Sequence, residues 1–353
     1  MKKKKIVFLD KPIEPPGGGQ MSLVYLLKNL DKNKYEFIVF VPYYCSFIEI
    51  LKKEGIDVEI VPFKKLFFKI KNFKPDLIHS NSPTTRYSFY GVLFSKILKI
   101  PFIWHNRVLE TAGWKESLIS ILSSKIIVIS DCVGKKFEKF PDKTIKIYNA
   151  VDFESIKITK NKEELKNELG IKNECIVGIF SRLVKWKGHN LFFDVAKKII
   201  ENKIETKFLI LGDGEEKENI INKIKELGLS NYFLMLGHRE NVYDFINICD
   251  IVCNFSIEPE PFGRTIIEAM ALKKVVFSTN IGGPNEIIDD GVDGFLCKPN
   301  PDFISKKIVE VLKNPELMNK IGENAYKKVF DNFNIKTQIK KIESLYEEVI
   351  NQK

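Results

Sequence analysis

The sequence predicts an α/β protein of two Rossmann-like domains, each built on a doubly wound parallel sheet, and three observations carry that expectation. Short, fully apolar runs recur from end to end, amphipathic stretches of helical length separate them, and the series is broken once, by a polar stretch at 152–164. A strand that is apolar at consecutive positions has both faces covered, as in a parallel sheet between helical layers.

The first series places strands at 6–9, 37–41, 58–61, 77–79, 102–105 and 126–129. The second places them at 175–180, 207–211, 233–236, 251–255 and 275–278, with helical spacing clearest at 191–200, 215–227 and 304–312. A first domain is therefore expected over 1–154 and a second over 155–334. In 335–353, Ile339, Ile342, Leu345 and Val349 follow helical spacing, and this segment is expected to pack back on the first domain. Ligands of such sheets bind at the carboxyl ends of the strands, so two such domains are expected to enclose a ligand cleft.

Hydrophobic residues make up 44% and charged residues 29% of the 353, the mixture of a folded globular chain rather than a disordered one. The formal charge of +10 favours anionic partners: nucleotide phosphates, nucleic acid or an acidic membrane surface. A basic, aromatic RNA-binding signature is missing, so no nucleic acid is expected. The six Cys form no C-x-x-C pair and sit in apolar runs, as free thiols in a reducing compartment do. The apolar run of MKKKKIVFLD stops at Asp10, and no stretch approaches the ~20 apolar residues of a membrane span. A cytoplasmic location is expected, with at most peripheral association with the inner face of the membrane.

The segment EPEPFGRTIIEAMALKKVVFST reads as a loop, a helix starting near Gly263, and a strand. Glu260 lies in the loop and Glu268 on the helix. A carboxylate can grip paired sugar hydroxyls, and free N–H groups at the helix start around Gly263, Arg264 and Thr265 offer a phosphate site. A solvated helix face is the plain alternative for Glu268. Arg182 and Lys187, in FSRLVKWKGHN, follow the strand at 175–180, where cations neutralise a diphosphate leaving group. Gly17, Gly18 and Gly19 turn the chain between the first strand and a helix, but Ser22 stands where a third dinucleotide-fingerprint glycine would be. That disfavours a nicotinamide-dependent dehydrogenase. His105 ends the strand in PFIWHNR, placed to hydrogen-bond substrate hydroxyls. Asp213 and Glu215 read as a helix N-cap, and no metal site and no cofactor are expected.

Taken together these residues resemble glycosyltransferase family four, the retaining GT-B enzymes, over nearly the whole chain. Glu260…Glu268 matches the family's E-x7-E motif, Arg182 and Lys187 its basic pair, and Gly282-Gly283-Pro284-Asn285-Glu286 its GG-x-x-E turn. Gly17–Gln20 resembles the GG-x-Q turn, and Asn149-Ala150-Val151-Asp152 the N-G-V-D segment, with Ala150 in place of glycine. Lys273-Lys274 stands where the family has a glycine-proline turn. The resemblance implies that Glu268 holds a donor ribose and that Glu260 and His105 serve the reacting sugar. Arg182 and Lys187 would bind the diphosphate with Gly263, Arg264, Thr265, Gly18 and Gly19, while Arg239 borders the base and Gln20 meets the acceptor. It implies transfer of a hexose-type sugar from a UDP- or GDP-sugar to a glycan or lipid-linked acceptor, with retention and without a metal, in the synthesis of cell-surface polysaccharide or glycoconjugate.

The segment at 63–74, FKKLFFKIKNFK, combines aromatic and basic residues as interfacial helices do. It is expected either to touch an anionic membrane or to be an ordinary helix burying Leu66, Phe67, Ile70 and Phe73. A GT-B nucleotide-sugar epimerase and a non-enzymatic binder of anionic ligands are the rival functions.

Overall fold

In the computed structural model, which describes residues 2–83 and 85–352, the strands form two parallel sheets. The first contains β1 (Lys4–Leu9), β2 (Tyr35–Val41), β3 (Val58–Ile60), β4 (Leu77–Ser80), β5 (Phe102–Asn106), β6 (Lys125–Val128) and β7 (Thr144–Lys146), in the order β3-β2-β1-β4-β5-β6-β7. The second contains β8 (Cys175–Phe180), β9 (Thr206–Leu211), β10 (Phe233–Gly237), β11 (Ile251–Asn254), β12 (Val275–Thr279) and β13 (Phe295–Cys297), in the order β10-β9-β8-β11-β12-β13. Both orders reverse beside their first strand, between β1 and β4 and between β8 and β11. Doubly wound sheets hold ligands at that switch point.

The expected strands are all present, and two more appear. β7 and β13 are three-residue strands at the sheet edges, as is the expected β3. Asp213 does not cap a helix. The helix Lys217–Glu226 starts later, with Glu216 at its N-cap, and Asp213 accepts from Gly214 N at 2.8 Å and pairs with Lys217. The glycines on either side of Asp213 explain the delay: a Cβ on Gly212 would meet Ser181 O at 1.8 Å and one on Gly214 would meet Leu183 O at 2.4 Å, so this loop is pressed onto the chain just past β8.

The described residues divide into one unit of Met1–Ala150 with Ile335–Lys353 and another of Val151–Asn334. The first boundary therefore moves back from 154. Val151 N donates to Phe333 O, and Phe153 stacks edge-on against Tyr326 and Phe330, tying 151–154 to the second unit. The C-terminal helix Ile335–Asn351 buries Ile339, Ile342, Leu345, Tyr346 and Val349 in the first unit's core, with Phe8, Leu23 and Ile103. Full burial of such side chains contributes roughly 1.5–3 kcal/mol each.

Candidate functional site

In the second unit the expected polar residues gather at the carboxyl ends of β8 and β11. Glu260 is 7% exposed. Its Oε2 receives both the Lys187 ammonium and the Ser256 hydroxyl, the latter at 2.8 Å. Lys187 also lies over the Trp186 ring, 4.1 Å from its centre. Its turn is held by Gly188 (φ 72), where a Cβ would fall 1.8 Å from Phe255 O. The Glu260 backbone is fixed in turn by the glycine pair: Gly283 N donates to Glu260 O at 2.7 Å, and a Cβ on Gly282 (φ 86) would lie 2.5 Å from that oxygen. The GG-x-x-E turn is thus the support under the Glu260 loop.

Gly263 (φ 103) caps the helix Arg264–Ala271, and Thr265 donates to Phe180 O at 3.0 Å, stitching that helix to the end of β8. Glu268 does not stand alone: Arg264, one turn earlier, donates to its Oε1 from both Nε and Nη2. Arg182 is exposed and makes no side-chain hydrogen bond or ion pair among the described residues. Arg239 is set apart. It follows the edge strand β10, with β9 between it and β8, and lies over the Phe245 ring.

The first unit builds a different cluster. Its glycine turn is tighter than expected: Gly17 caps the helix Gly18–Asn29 with an ordinary φ of −95°, and Gln20 Oε1 accepts from Gly17 N at 2.9 Å. That oxygen of Gln20 therefore closes its own helix. His105 is wholly buried, as are His79, Asn106 and nearly Asp10. One residue beyond the Leu9–Ser80–Trp104 row of the sheet stand Asp10, Asn81 and His105. Asp10 accepts from Ser82 Oγ at 3.1 Å. Burial pushes its carboxyl up to about 6, against the lowering pull of Ser82 and Arg107. Arg107 donates to Asn81 Oδ1 at 2.8 Å and to Asn149, and meets His105 Nδ1 at 3.3 Å. Among the described residues, the buried side-chain atoms without a hydrogen-bond partner are Asp10 Oδ2, Ser80 Oγ, His105 Nε2 and Asn106 Nδ2. All belong to the ends of β1, β4 and β5.

Residues 161–328 match the family model of the glycosyl transferases group 1. An uncharacterised glycosyltransferase of Methanocaldococcus jannaschii is 31% identical over 291 residues, which cover 78% of this chain and 76% of the relative. The chain belongs to the group 1 glycosyltransferases. The N-acetyl-alpha-D-glucosaminyl L-malate synthase of Bacillus anthracis is 30% identical over 213 residues, 60% of this chain and about half (55%) of that relative's length. Among solved structures, Anabaena HepE in complex with UDP-glucose superposes with a TM-score of 0.88 at 26% identity, covering 98% of this chain and 99% of HepE.

For a glycosyltransferase, the second unit offers a held carboxylate, a held ammonium, a free guanidinium and a helix start at one strand-end locus. Ser256, the third member of the Lys187–Glu260 cluster, escaped the sequence reading. Its only signal was its place four residues before Glu260, just past a strand. Asp10, His79, Asn81, Arg107 and Tyr346 escaped it as well. Among the described residues no helix is long and apolar enough to cross a membrane, and all six cysteines are free.

Proposed function

We propose that this glycosyltransferase moves a hexose from a nucleotide-sugar donor to a hydroxyl of a glycan or lipid-linked acceptor, with retention at the anomeric carbon and without a metal. The observation that carries this reading is Glu260 held by Lys187 and Ser256 beside the Gly263–Thr265 helix start. Glu260 would meet the transferred sugar, and Lys187 and Arg182 would offset the diphosphate charge that a metal offsets elsewhere. Glu268, already oriented by Arg264, would take ribose hydroxyls. HepE was solved with UDP-glucose, which favours a UDP-hexose as donor.

A thermal-shift panel of UDP-, GDP- and ADP-hexoses in EDTA tests the donor and the metal together, because a ligand of the native state raises its melting temperature. UDP-hexose should stabilise most, and Arg182→Ala should remove the shift. A shift that needs Mg²⁺ would overturn metal independence. NMR of the product's anomeric proton decides retention, and isomerisation of donor with no acceptor present would favour the epimerase.

Contact with an anionic membrane through 63–74 is part of the same proposal. The helix Phe63–Phe73 buries Leu66 and Ile70 but leaves Phe63 40% and Phe68 65% exposed, flanked by lysines. Aromatic contacts continue the face to Tyr90 and Phe94, and from Phe89 to the exposed Trp114. In the helices Phe63–Phe73, Arg86–Ile97 and Trp114–Leu122 the only acid is Glu116, paired with Lys136. Lys69 pairs with Glu59 of β3, and the other lysines of the helix Phe63–Phe73 stand beside its exposed aromatics. Exposed aromatics among lysines suit an anionic interface. Phe68→Ser with Lys64→Glu should abolish co-sedimentation with phosphatidylglycerol vesicles, and binding that ignores anionic lipid content would overturn the contact.

A further inference from the structure

The hydrogen bonds that end at His105 can each be given a direction. Tyr346 Oη lies 2.6 Å from His79 Nδ1, and His79 Nε2 lies 3.3 Å from His105 Nδ1. Arg107 Nη2 approaches the same Nδ1 at 3.3 Å. A guanidinium carries N–H donors and no lone pair. Arg107 can only donate, so His105 Nδ1 must accept. A neutral imidazole with a bare Nδ1 carries its proton on Nε2. His79 then donates from Nε2, and its own bare Nδ1 accepts from the Tyr346 hydroxyl. Every donor points the same way, from Tyr346 through His79 to His105. The chain ends on a buried Nε2 with no partner among the described residues.

We propose that Arg107, His79 and Tyr346 are positioning residues that hold His105 as its Nε2–H tautomer, ready to donate to a hydroxyl oxygen of the bound sugar. The identity of that ligand rests on the function proposed above; the tautomer does not. A cationic His105 would face the guanidinium with a proton on each nitrogen. Burial first, and then the Arg107 charge, push His79 down to about 3 and His105 well below its ordinary value, so both rings are neutral. Arg107 is itself immobilised by Asn81 and Asn149. Tyr346 is delivered by the C-terminal helix, 267 residues after His79. That helix thereby takes a part in the site beyond filling the core. A neutral N–H, paired with nothing until a ligand arrives, matches a sugar hydroxyl better than a phosphate, which the exposed Arg182 suits.

The chain has four histidines, His79, His105, His189 and His238, so selective ¹⁵N-histidine labelling gives few enough ring signals to assign with His→Gln variants. Long-range ¹⁵N–¹H spectra of the full chain should show His105 as the Nε2–H tautomer without any turnover. Arg107→Lys, which keeps a cationic donor, should preserve it. Arg107→Gln, whose amide can accept as well as donate, should mix the tautomers. Tyr346→Phe should release His79 while Arg107 still holds His105, which keeps the test decisive if Arg107→Gln fails to fold. An Nδ1–H tautomer in the wild type, or one that Arg107→Gln leaves unchanged, would overturn the relay. In turnover, Arg107→Gln and His105→Ala should each cut transfer tenfold or more while Arg107→Lys retains most of it. Normal transfer by His105→Ala, with the tautomer as expected, would overturn the sugar contact alone.

Discussion

The two units share a strand order and differ in how they treat charge. The first, Met1–Ala150 with Ile335–Lys353, carries 30 Lys+Arg against 17 Asp+Glu, a formal +13; Val151–Asn334 carries 26 against 29, a formal −3. The whole basic excess thus lies in the first unit. At the strand ends the pattern reverses. The second unit there sets charged groups against one another, Lys187 on Glu260 and Arg264 on Glu268. The first unit instead packs one guanidinium, Arg107, and one carboxyl, Asp10, among neutral imidazoles, hydroxyls and amides, several with unmet hydrogen bonds. A shared topology fixes where a ligand can sit, while the residues just past each strand decide whether the site meets charge or hydroxyls.

The largest test of that contrast is the removal of Glu260. Glu260→Ala should lower transfer by roughly 10²–10³, the scale of losing one group that stabilises developing charge. The fold should be retained, with a lower melting temperature because Lys187 and Ser256 lose their acceptor. Glu268→Ala should act mainly on the donor KM, as loss of uniform binding does. Normal turnover by the Glu260 variant would strip the charged cluster of its role.

The glycine turns separate the units in stability. Gly282→Ala puts a Cβ 2.5 Å from Glu260 O at φ 86, where neither backbone can yield. A loss of about 2–4 kcal/mol in urea unfolding is expected. Gly19→Ala, with the Arg107 Cδ as its near neighbour at 3.4 Å, should cost less than about 1 kcal/mol. Equal losses would mean that the two turns do the same work.

Those turns also mark how far the sequence could be read. Strand positions, the E-x7-E pair and the glycine support were legible because each is local: a run, a spacing or a turn. Arg264 on Glu268 was legible as an i, i+4 pair, yet it was read only as two ligand contacts. The first unit's cluster was hidden because sheet adjacency assembles it, bringing Asp10 beside Ser82 and Asn81 beside Arg107, and because Tyr346 comes from the far end of the chain. β7 and β13 were missed too, although β3, an edge strand of the same length, was placed, so length alone does not hide a strand.

Asp10 gives the first unit's buried polarity a pH signature. Its folded-state value near 6 exceeds the ordinary 3.8, so between those values the folded chain binds more protons than the unfolded one. Stability therefore falls as pH rises from about 4 to 6 and is level above. That difference corresponds to about 3 kcal/mol at most. Asp10→Asn keeps an oxygen for Ser82 and removes the charge. It should melt higher than wild type at pH 7 and converge with it below pH 4. A wild type that gains stability over that range would contradict the buried, ligandless carboxylate.

The smallest expected effect compares one lysine from each unit. Lys99 (φ 56) follows the helix Arg86–Ile97, and Lys273 (φ 58) follows Arg264–Ala271; both hold a left-handed conformation. For a side chain other than glycine this costs roughly 1–2 kcal/mol, and glycine's extra unfolded freedom returns about 0.5–1 of it. Lys99→Gly should therefore stabilise by about 0.5–1 kcal/mol. Lys273 also forms an exposed pair with Glu323 at 2.6 Å and lies over the half-buried Tyr326. Exposed pairs are worth about 0.2–1 kcal/mol, so Lys273→Gly should come out near zero. If Lys273→Gly gains as much as Lys99→Gly, surface pairing in the second unit contributes nothing, and its charge balance matters only where the pairs are buried.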